Sequence, residues 1–293
     1  MSTIRTLEPL ARHTTFRIGG PAAVFAEPQT PEEAVRIAED CRAKDTPLRA
    51  LGNGSNLLVS DTGVDGVVLS TAGLRELRRD GVRLICGAGV PLSSACVLAQ
   101  REGLTGLAFA YGIPGTVGGA VLMNAGAYGG EMAQVIESVE FWEDGEVRTL
   151  GASELELSYR HSRFSHGHAL ILRAVLRLTP GDPAAILAEM QELMGRRRDK
   201  QPLELPSAGS TFKRPAGAFA AALIDQCGLK GLRVGGAMVS EKHAGFVVNA
   251  GGATCADVLA LMRQVRGVVQ EKTGYLLEPE VEFWGNEAEE WTF

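Results

Sequence analysis

Two long glycine-rich stretches limit most strongly what this chain can fold into. The first covers residues 51–69, LGNGSNLLVSDTGVDGVVL, and the second covers residues 111–131, YGIPGTVGGAVLMNAGAYGGE. In the first, the small or turn-prone residues from Gly52 to Asn56 lie between two strand-like segments. Successive backbone N–H groups in such a turn form a concave anion-binding site. One stretch of this kind is more often a tight strand connection, but two in one chain favour a site for the diphosphate of a dinucleotide.

Neither stretch matches a familiar nucleotide motif. GNGSNL has Leu57 in its sixth position and continues as a strand, whereas the Rossmann fingerprint has a small residue there and opens a helix. GAGVPL, at residues 87–92, also has leucine in sixth position. The chain contains no Gly-x-x-x-x-Gly-Lys-Ser/Thr sequence, which excludes a P-loop nucleotide hydrolase.

Length and charge limit the class of protein and its partners. The 293 residues can form two or three domains, and the 45% hydrophobic and 22% charged residues are typical of a globular chain. The net charge of -6 argues against a nucleic-acid surface, because phosphate binding needs clustered cations in excess. We expect small-molecule partners and no obligate protein partner.

Neither a metal site nor a membrane segment is predicted. The five cysteines include no Cys-x-x-Cys pair, and the histidines show no metal-ligand spacing. Residues 1–16 lack the apolar core of a signal peptide, and no apolar stretch reaches membrane-spanning length. We therefore expect a cytoplasmic protein without disulfide bonds.

Helix and strand patterns mix without a regular period. The segment 30–44 predicts a helix with Thr30 as N-cap, Pro31 in the first turn and Glu33 closing a capping box. Further helices are predicted in LSSACVLAQREG, DPAAILAEMQELMGRRRDK, AFAAALIDQCG and TCADVLALMRQVRGVVQEKTG, the last ending at Gly274. Strands are predicted in VRLICGAG, VIESVEFW, ALILRAVLRL and the tail YLLEPEVEFWG. This mixture predicts the α+β class.

One serine stands in an unusual setting. The segment 206–215, PSAGSTFKRP, places Ser210 after an Ala-Gly step and before Lys213 and Arg214. A serine nucleophile of the lipase type would need the pattern Gly-x-Ser-x-Gly, which is absent here. The local pattern leaves open whether Ser210 belongs to an ordinary loop or acts as an acid.

The order of motifs along the chain resembles a known family. FRIGG, LGNGSNLLVSDTGVDGVVL, GIPGTVGGAVLMNAGAYGGEM, SYRHSRF, PSAGSTFKRP, KHAGFVVN and LEPEVEFWG follow one another as in the UDP-N-acetylenolpyruvoylglucosamine reductases, the MurB-type flavoenzymes. The likeness extends from about residue 12 to 285, and it is closest to the shorter branch, which lacks an extra tyrosine-bearing loop. It implies a two-subdomain FAD-binding fold of the PCMH or vanillyl-alcohol-oxidase type, with a third α+β domain for the substrate.

The resemblance also implies domain limits and an activity. The implied segments are 1–70 and 71–198 for the FAD-binding subdomains, 199–275 for the substrate-binding domain, and 276–293 for a strand and tail that return to the FAD-binding region. The implied reaction is NADPH-dependent, FAD-mediated reduction of UDP-N-acetylglucosamine enolpyruvate to UDP-N-acetylmuramate in peptidoglycan precursor synthesis, which supports cell wall formation, cell shape and division. Hydride would pass from flavin N5 to C3 and a proton to C2.

Three residues match the reactive positions of the family, namely Ser210, Arg160 and Glu280. An arginine can stabilise negative charge that spreads into the substrate carboxylate, and a serine hydroxyl can donate the proton. Without the resemblance, Arg160 could be a surface cation, Ser210 a turn residue, and Glu280 the solvent-facing member of a strand that alternates with Val281 and Phe283.

The resemblance assigns further residues to ligands. Those implied to bind FAD non-covalently are Arg17, Gly52, Asn53, Gly54, Ser55, Asn56, Leu57, Pro114, Gly115, Thr116, Gly118, Gly119, Asn124, Gly126 and Ala127. Those implied to bind the UDP-sugar are Lys200, Arg197, Arg214 and His243. Arg214 departs from the asparagine of the longer branch, and the basic run at 195–200 also suits a helix C-terminus.

Two alternatives stay open at the level of sequence. The first is an oxidase or dehydrogenase for small alcohols with the same FAD fold, although many of these attach flavin through histidine or cysteine, and residues 51–69 contain neither. The second is a nucleotide-binding module without catalytic activity. The joint presence of Ser210, Arg160 and Glu280 argues against the second.

Overall fold

The computed structural model describes residues 2–165 and 167–285. Within them the chain forms two compact units, the first made of residues 2–5, 24–53 and 66–197 and the second of residues 6–23, 54–65 and 198–285. Each unit is therefore assembled from segments that are distant in sequence. The four functional segments expected from the sequence stay a prediction, and the last of them extends into residues 286–293, outside the described range.

The described residues contain six α-helices, which are α1 Pro31–Ala43, α2 Leu92–Arg101, α3 Val117–Leu122, α4 Pro183–Lys200, α5 Ala220–Gln226 and α6 Cys255–Thr273. They contain eighteen strands, which are β1 Thr3–Pro9, β2 Pro21–Glu27, β3 Leu48–Leu51, β4 Leu57–Val59, β5 Val64–Ser70, β6 Leu77–Asp80, β7 Arg83–Gly87, β8 Leu104–Thr105, β9 Gly126–Ala127, β10 Gly130–Glu131, β11 Ile136–Glu143, β12 Glu146–Gly151, β13 Leu170–Arg177, β14 Thr179–Pro180, β15 Arg233–Val234, β16 Ala237–Val239, β17 Val247–Asn249 and β18 Glu282–Trp284.

The first unit is built on a five-stranded antiparallel sheet in the order β12-β11-β13-β7-β6. Helix α3 packs on β7 and β13, and α2 packs on β7. Most of a second sheet, with the order β1-β2-β5-β3, also belongs to this unit, and its strands β3 and β5 are parallel. Apolar residues of β7, β11 and β13, among them Leu84, Phe141 and Leu176, are fully buried in one continuous core. This core fixes the position of the loops that follow the strands.

The second unit has its own core. Strands β15, β16 and β17 form an antiparallel sheet, and β18 pairs in parallel with β4. Helix α6 packs on α5, β15 and β16. Leu58, Phe212, Met262 and Val265 are among the residues buried there.

Helix ends follow the sequence closely, with one difference. The hydroxyl of Thr30 accepts the N–H of Glu33, and Gly274 ends α6 with a left-handed φ of 76°, both as predicted. The carboxylate of Glu33 does not close the predicted capping box on Thr30. It accepts the N–H of Gln29 at 3.0 Å, because the Ser2 hydroxyl, 2.9 Å from the same oxygen, also holds it beyond the helix end.

Two segments differ from their predicted form. The second glycine-rich stretch contains helix α3, which begins where the Thr116 hydroxyl accepts the N–H of Gly119 at 3.4 Å. In the C-terminal tail, Glu280 and Val281 are 9% and 4% exposed, so the predicted alternation is wrong at Glu280. The reason is a change of partner, since residues 278–280 bond to the segment 211–213 whereas β18 pairs with β4.

The five cysteines are buried free thiols. Burial raises the pKa of Cys86 and of Cys96 to about 12. No helix in the part of the chain that the structure describes is both long and apolar enough to cross a membrane. In the same ranges, no three histidine, cysteine or acidic side chains meet in a way that could hold a metal ion.

Asp61 supplies an N-terminal cap to α6 from outside the helix. Its two carboxylate oxygens accept the N–H groups of Cys255 at 2.8 Å and Ala256 at 3.1 Å. Because these bonds are charge-assisted and satisfy helix-end donors, we expect Asp61→Ala to lower the free energy of unfolding by about 1–2 kcal/mol. Asp61→Asn keeps one good acceptor and should lose about half as much. Urea unfolding measures both, and equal stability of all three proteins would contradict the assigned cap.

Candidate active site

The two glycine-rich stretches meet in the first unit. The side-chain amide of Asn53 donates to the carbonyl oxygen of Pro114 at 2.8 Å. A Cβ at Gly52 would lie 2.6 Å from the Thr116 hydroxyl oxygen, so only glycine allows this approach. The sequence analysis treated the stretches as two parts of one anion site, and

The backbone donors of the first stretch are open. Among the described residues, the N–H groups of Gly52 and Asn53 in the first unit, and of Gly54 and Ser55 in the second, donate to no protein acceptor. Gly54 has a φ of +58°, and a Cβ there would lie 2.3 Å from the carbonyl oxygen of His13. Each unit thus contributes two consecutive unused N–H groups, which are donors of the kind that phosphate oxygens accept.

Glycines of the second stretch use their N–H groups inside the protein. Gly115 donates to Ile113, and Gly118 donates to Ala88 at 2.9 Å. A Cβ at Gly118 would approach that of Ala88 to 2.8 Å, so close packing accounts for this glycine. The N–H of Gly119 is taken by Thr116. Their predicted contact with the cofactor stays a prediction.

A short hairpin follows α3. Gly126 and Ala127 form β9, which pairs with β10. Between these strands Tyr128 has a φ of 55° and is 43% exposed. A left-handed conformation is rare and costly for tyrosine. The sequence analysis did not single out Tyr128, although an aromatic residue in an Ala-Tyr-Gly-Gly turn was the signal available.

Asn124 connects α3 to the turn that carries Arg160. The Asn124 side chain, 1% exposed, donates to the carbonyl oxygen of Ser158 at 3.0 Å and accepts the N–H of Ala133 at 2.8 Å. Ser158 and His161 exchange two backbone bonds of 3.1 Å and so close a tight turn. The predicted cofactor residue Asn124 thus has a positioning role within the protein.

Arg160 occupies a strained place in that turn. Its φ is 56°, which glycine adopts readily and arginine does not. Its guanidinium carbon lies 5.0 Å from the centre of the Tyr159 ring, within cation–π range. The buried bonds of Asn124 hold the turn in this conformation, which directs a half-buried cation from a rigid frame.

Arg197, on α4, is a buried cation beside the second stretch. A Cβ at Gly112 would lie 2.9 Å from its Cδ. Its Nε has no hydrogen-bond partner within the described residues. Burial lowers the pKa of Arg197, and interaction with Tyr128 partly offsets this. A buried guanidinium with an unsatisfied donor is suited to an anion.

In the second unit, Asn56 links the first stretch to Glu280. Its side-chain amide donates to the carbonyl oxygen of Glu280 at 3.0 Å, and its own carbonyl accepts the N–H of Glu282 at 2.8 Å. Leu57 follows as the first residue of β4, paired with Glu282. Arg17 lies exposed in the same unit with a φ of 56°.

Ser210 lies in an extended segment between β17 and residues 278–280. Thr211, its neighbour, donates its N–H to Gly245 and accepts the N–H of Glu280, both at 2.9 Å. Gly209, with a φ of +77°, turns the chain just before the serine. The Ser210 hydroxyl is half-buried and has no hydrogen-bond partner within the described part of the chain. The second unit thus brings the backbones of Ser210 and Glu280 into adjacent register.

The remaining predicted substrate residues of this unit differ in burial. His243 packs edge-on against Phe246 with ring centres 4.9 Å apart, and its Nδ1 accepts the N–H of Gly245 at 3.2 Å. Burial lowers the pKa of His243, so the ring is neutral at pH 7 and carries its proton on Nε2. Lys200 and Arg214 are exposed cations.

Comparison with known proteins identifies the family. A model described as UDP-N-acetylenolpyruvoylglucosamine reductase, C-terminal domain, matches residues 201–284, and one described as FAD binding domain matches residues 21–151. UDP-N-acetylenolpyruvoylglucosamine reductases from Caldanaerobacter subterraneus subsp. tengcongensis and Lachnoclostridium phytofermentans are 47% and 49% identical over 279 and 287 residues, covering 95% and 96% of this chain and 92% and 93% of theirs. The chain belongs to this family.

A solved structure agrees with the assignment. The MurB reductase of Thermus caldophilus is 40% identical, with a TM-score of 0.84 over 97% of this chain and 99% of that one. The α+β FAD-binding fold predicted from the sequence is confirmed. The protein is an FAD-binding oxidoreductase of peptidoglycan precursor synthesis, and its open donors at residues 52–55 fit the FAD diphosphate.

The role of Asn124 can be tested by one atom exchange. Asn124→Asp keeps an acceptor for Ala133 but turns a second acceptor toward the Ser158 carbonyl. Because leaving a buried group unsatisfied costs about 1–3 kcal/mol, amide exchange at Ser158 and His161 should accelerate at least about fivefold. The same substitution at the exposed Asn53 is the matched control and should leave this turn unaffected. Unchanged exchange in Asn124→Asp would refute the positioning role.

The attachment of FAD can be tested by denaturation. Neither glycine-rich stretch, 51–69 or 111–131, contains a histidine or cysteine that could bond to the flavin. We expect a yellow protein whose flavin appears in the supernatant after acid precipitation, with the visible spectrum of free FAD. Colour that stays with the precipitated polypeptide would indicate a covalent link and contradict this expectation.

Proposed function

We propose that the enzyme uses NADPH to reduce UDP-N-acetylglucosamine enolpyruvate to UDP-N-acetylmuramate. The observation that carries this proposal is the Ser210 hydroxyl, which has no protein partner within the described residues and lies in the segment bonded to the buried Glu280. A hydroxyl left open beside a fixed carboxylate-bearing strand is suited to contact a substrate. Membership of the reductase family supplies the chemical class.

Arg160 binds the carboxylate of the enolpyruvyl group in this proposal. FAD supplies the hydride that reaches C3 from N5, after reduction by NADPH. Negative charge then develops at C2 and spreads into the carboxylate. A guanidinium held in a rigid turn stabilises this charge without reorganising, which is the most effective form of electrostatic stabilisation. The bonds of Asn124 and the strained φ of Arg160 support such a role.

Ser210 donates the proton that C2 requires. The hydroxyl acts as a general acid, so it needs no histidine base and no nucleophile elbow. Proton transfer to C2 completes the saturated lactyl ether. Glu280 is the third catalytic residue of the proposal, and its backbone, bonded to Thr211 and Asn56, supports a fixed position.

The basic residues would bind the rest of the UDP-sugar. Arg197, with its unsatisfied Nε, and the exposed Lys200 are proposed for the diphosphate, because phosphate oxygens favour charged donors. The neutral His243, with its proton on Nε2, is proposed as a hydrogen-bond donor to the sugar. Small molecules are the only partners that this proposal requires, and the cytoplasmic location stays a prediction.

The two half-reactions separate the role of Ser210. In Ser210→Ala, NADPH should still reduce the flavin at a rate within about twofold of the wild type, because that step creates no charge at C2. Reoxidation by the enolpyruvyl sugar should slow by about 10²–10⁴, the range for loss of a general acid. Stopped-flow absorbance of the flavin follows each step.

Ser207→Ala is the matched control for that test. Ser207 lies three residues upstream, and its hydroxyl only accepts a weak bond of 3.5 Å from the N–H of Gly209. Both half-reactions should stay near the wild-type rate. Equal loss of both steps in Ser210→Ala would show that the serine supports structure or cofactor binding, and the proposed acid would be wrong.

A further inference from the structure

The second unit exposes an aromatic ring beside an arginine. Phe219 is 61% exposed, more than any other aromatic side chain among the described residues that stand out as exposed. The guanidinium carbon of Arg214 lies 5.2 Å from its ring centre. Arg214 has no carboxylate partner in the ranges that the structure describes. Exposure of so much apolar ring area is unfavourable in water, which suggests a ligand.

The backbone holds this pair in place. Between the two residues the chain turns back at Gly217, whose φ is +76°, and Ala218 donates its N–H to Pro215 at 3.2 Å. The carbonyl of Phe219 accepts the N–H of Leu223 at 3.1 Å. The ring is therefore exposed on a fixed main chain, which reduces the ordering cost of binding.

The chemistry of the pair matches a nucleotide. Every nucleobase has a flat face that stacks on aromatic rings, and a guanidinium matches phosphate oxygens. The guanidinium of Arg214 covers part of the Phe219 ring, and the high exposure leaves the rest of the ring accessible. A single ligand with a base and a diphosphate can contact both residues at once.

We propose that Phe219 is the stacking platform for the uracil of the UDP-sugar, with Arg214 contacting the adjacent phosphates. This inference rests on the proposed function. Arg214 follows Ser210 by four residues of extended chain, a span of about 13 Å, and the same segment thus serves both ends of an elongated substrate. NADPH also carries a base, but its chemistry does not involve Ser210, so the uracil is the better match.

Binding of UDP alone tests the platform without turnover. Titration calorimetry of the FAD-loaded enzyme should give a Kd for UDP that rises about 5- to 30-fold in Phe219→Ala, as for the loss of one stacked base. Phe219→Trp should keep the Kd within about threefold. Arg214→Gln should weaken UDP but change uridine little. Val147→Ala removes another exposed apolar side chain, in the first unit, and should change nothing.

The outcomes distinguish this inference from its alternatives. A Kd for UDP unaltered in Phe219→Ala, or no UDP binding by the wild type, overturns it. Phe219→Leu binding as well as Phe219→Trp overturns stacking in favour of plain apolar contact. A raised KM for NADPH with unchanged UDP binding assigns the ring to adenine and also overturns it. Failure of the proposed function alone differs, because UDP binding would still depend on Phe219 while the wild type left the enolpyruvyl sugar unreduced.

Discussion

The backbone of Glu280 is the point on which the arrangement of the second unit depends. Its N–H is bonded to Thr211 and its carbonyl to the side chain of Asn56. One residue therefore ties the serine segment to the glycine-rich stretch, and the next residues change partner to join β4. Both peptide groups of a buried position must be satisfied, so any shift of this residue would displace the serine segment and the open N–H donors together.

Strained backbone recurs where chemistry is assigned. Arg17, Tyr128 and Arg160 all have positive φ values, although none is glycine. Each such conformation costs about 1–3 kcal/mol and persists only where the surroundings enforce it. At Arg160 the enforcing contacts are visible in the buried bonds of Asn124. The first unit thus uses part of its stability to hold a cation in a conformation that the isolated chain would avoid.

Local features were readable from the sequence, and distant ones were not. The cap at Thr30 and the end of α6 at Gly274 follow from a few adjacent residues, and both were predicted. The burial of Glu280 and the buried bonds of Asn124 depend on partners tens or hundreds of residues away, which periodicity does not reveal. Phe219 was missed because a sequence pattern does not distinguish an exposed aromatic residue from a core one. Roles of the site residues came from family motifs.

The interleaved composition of the two units has a consequence for synthesis on the ribosome. The core of the first unit uses residues that lie between 34 and 190, so it is complete before the last third of the chain has emerged. Strand β4, in contrast, must wait for β18. At about 5–20 residues per second, residues 54–65 stay without their final neighbours for on the order of ten seconds. The nascent chain therefore presents the apolar face of Leu58 to chaperones during that interval.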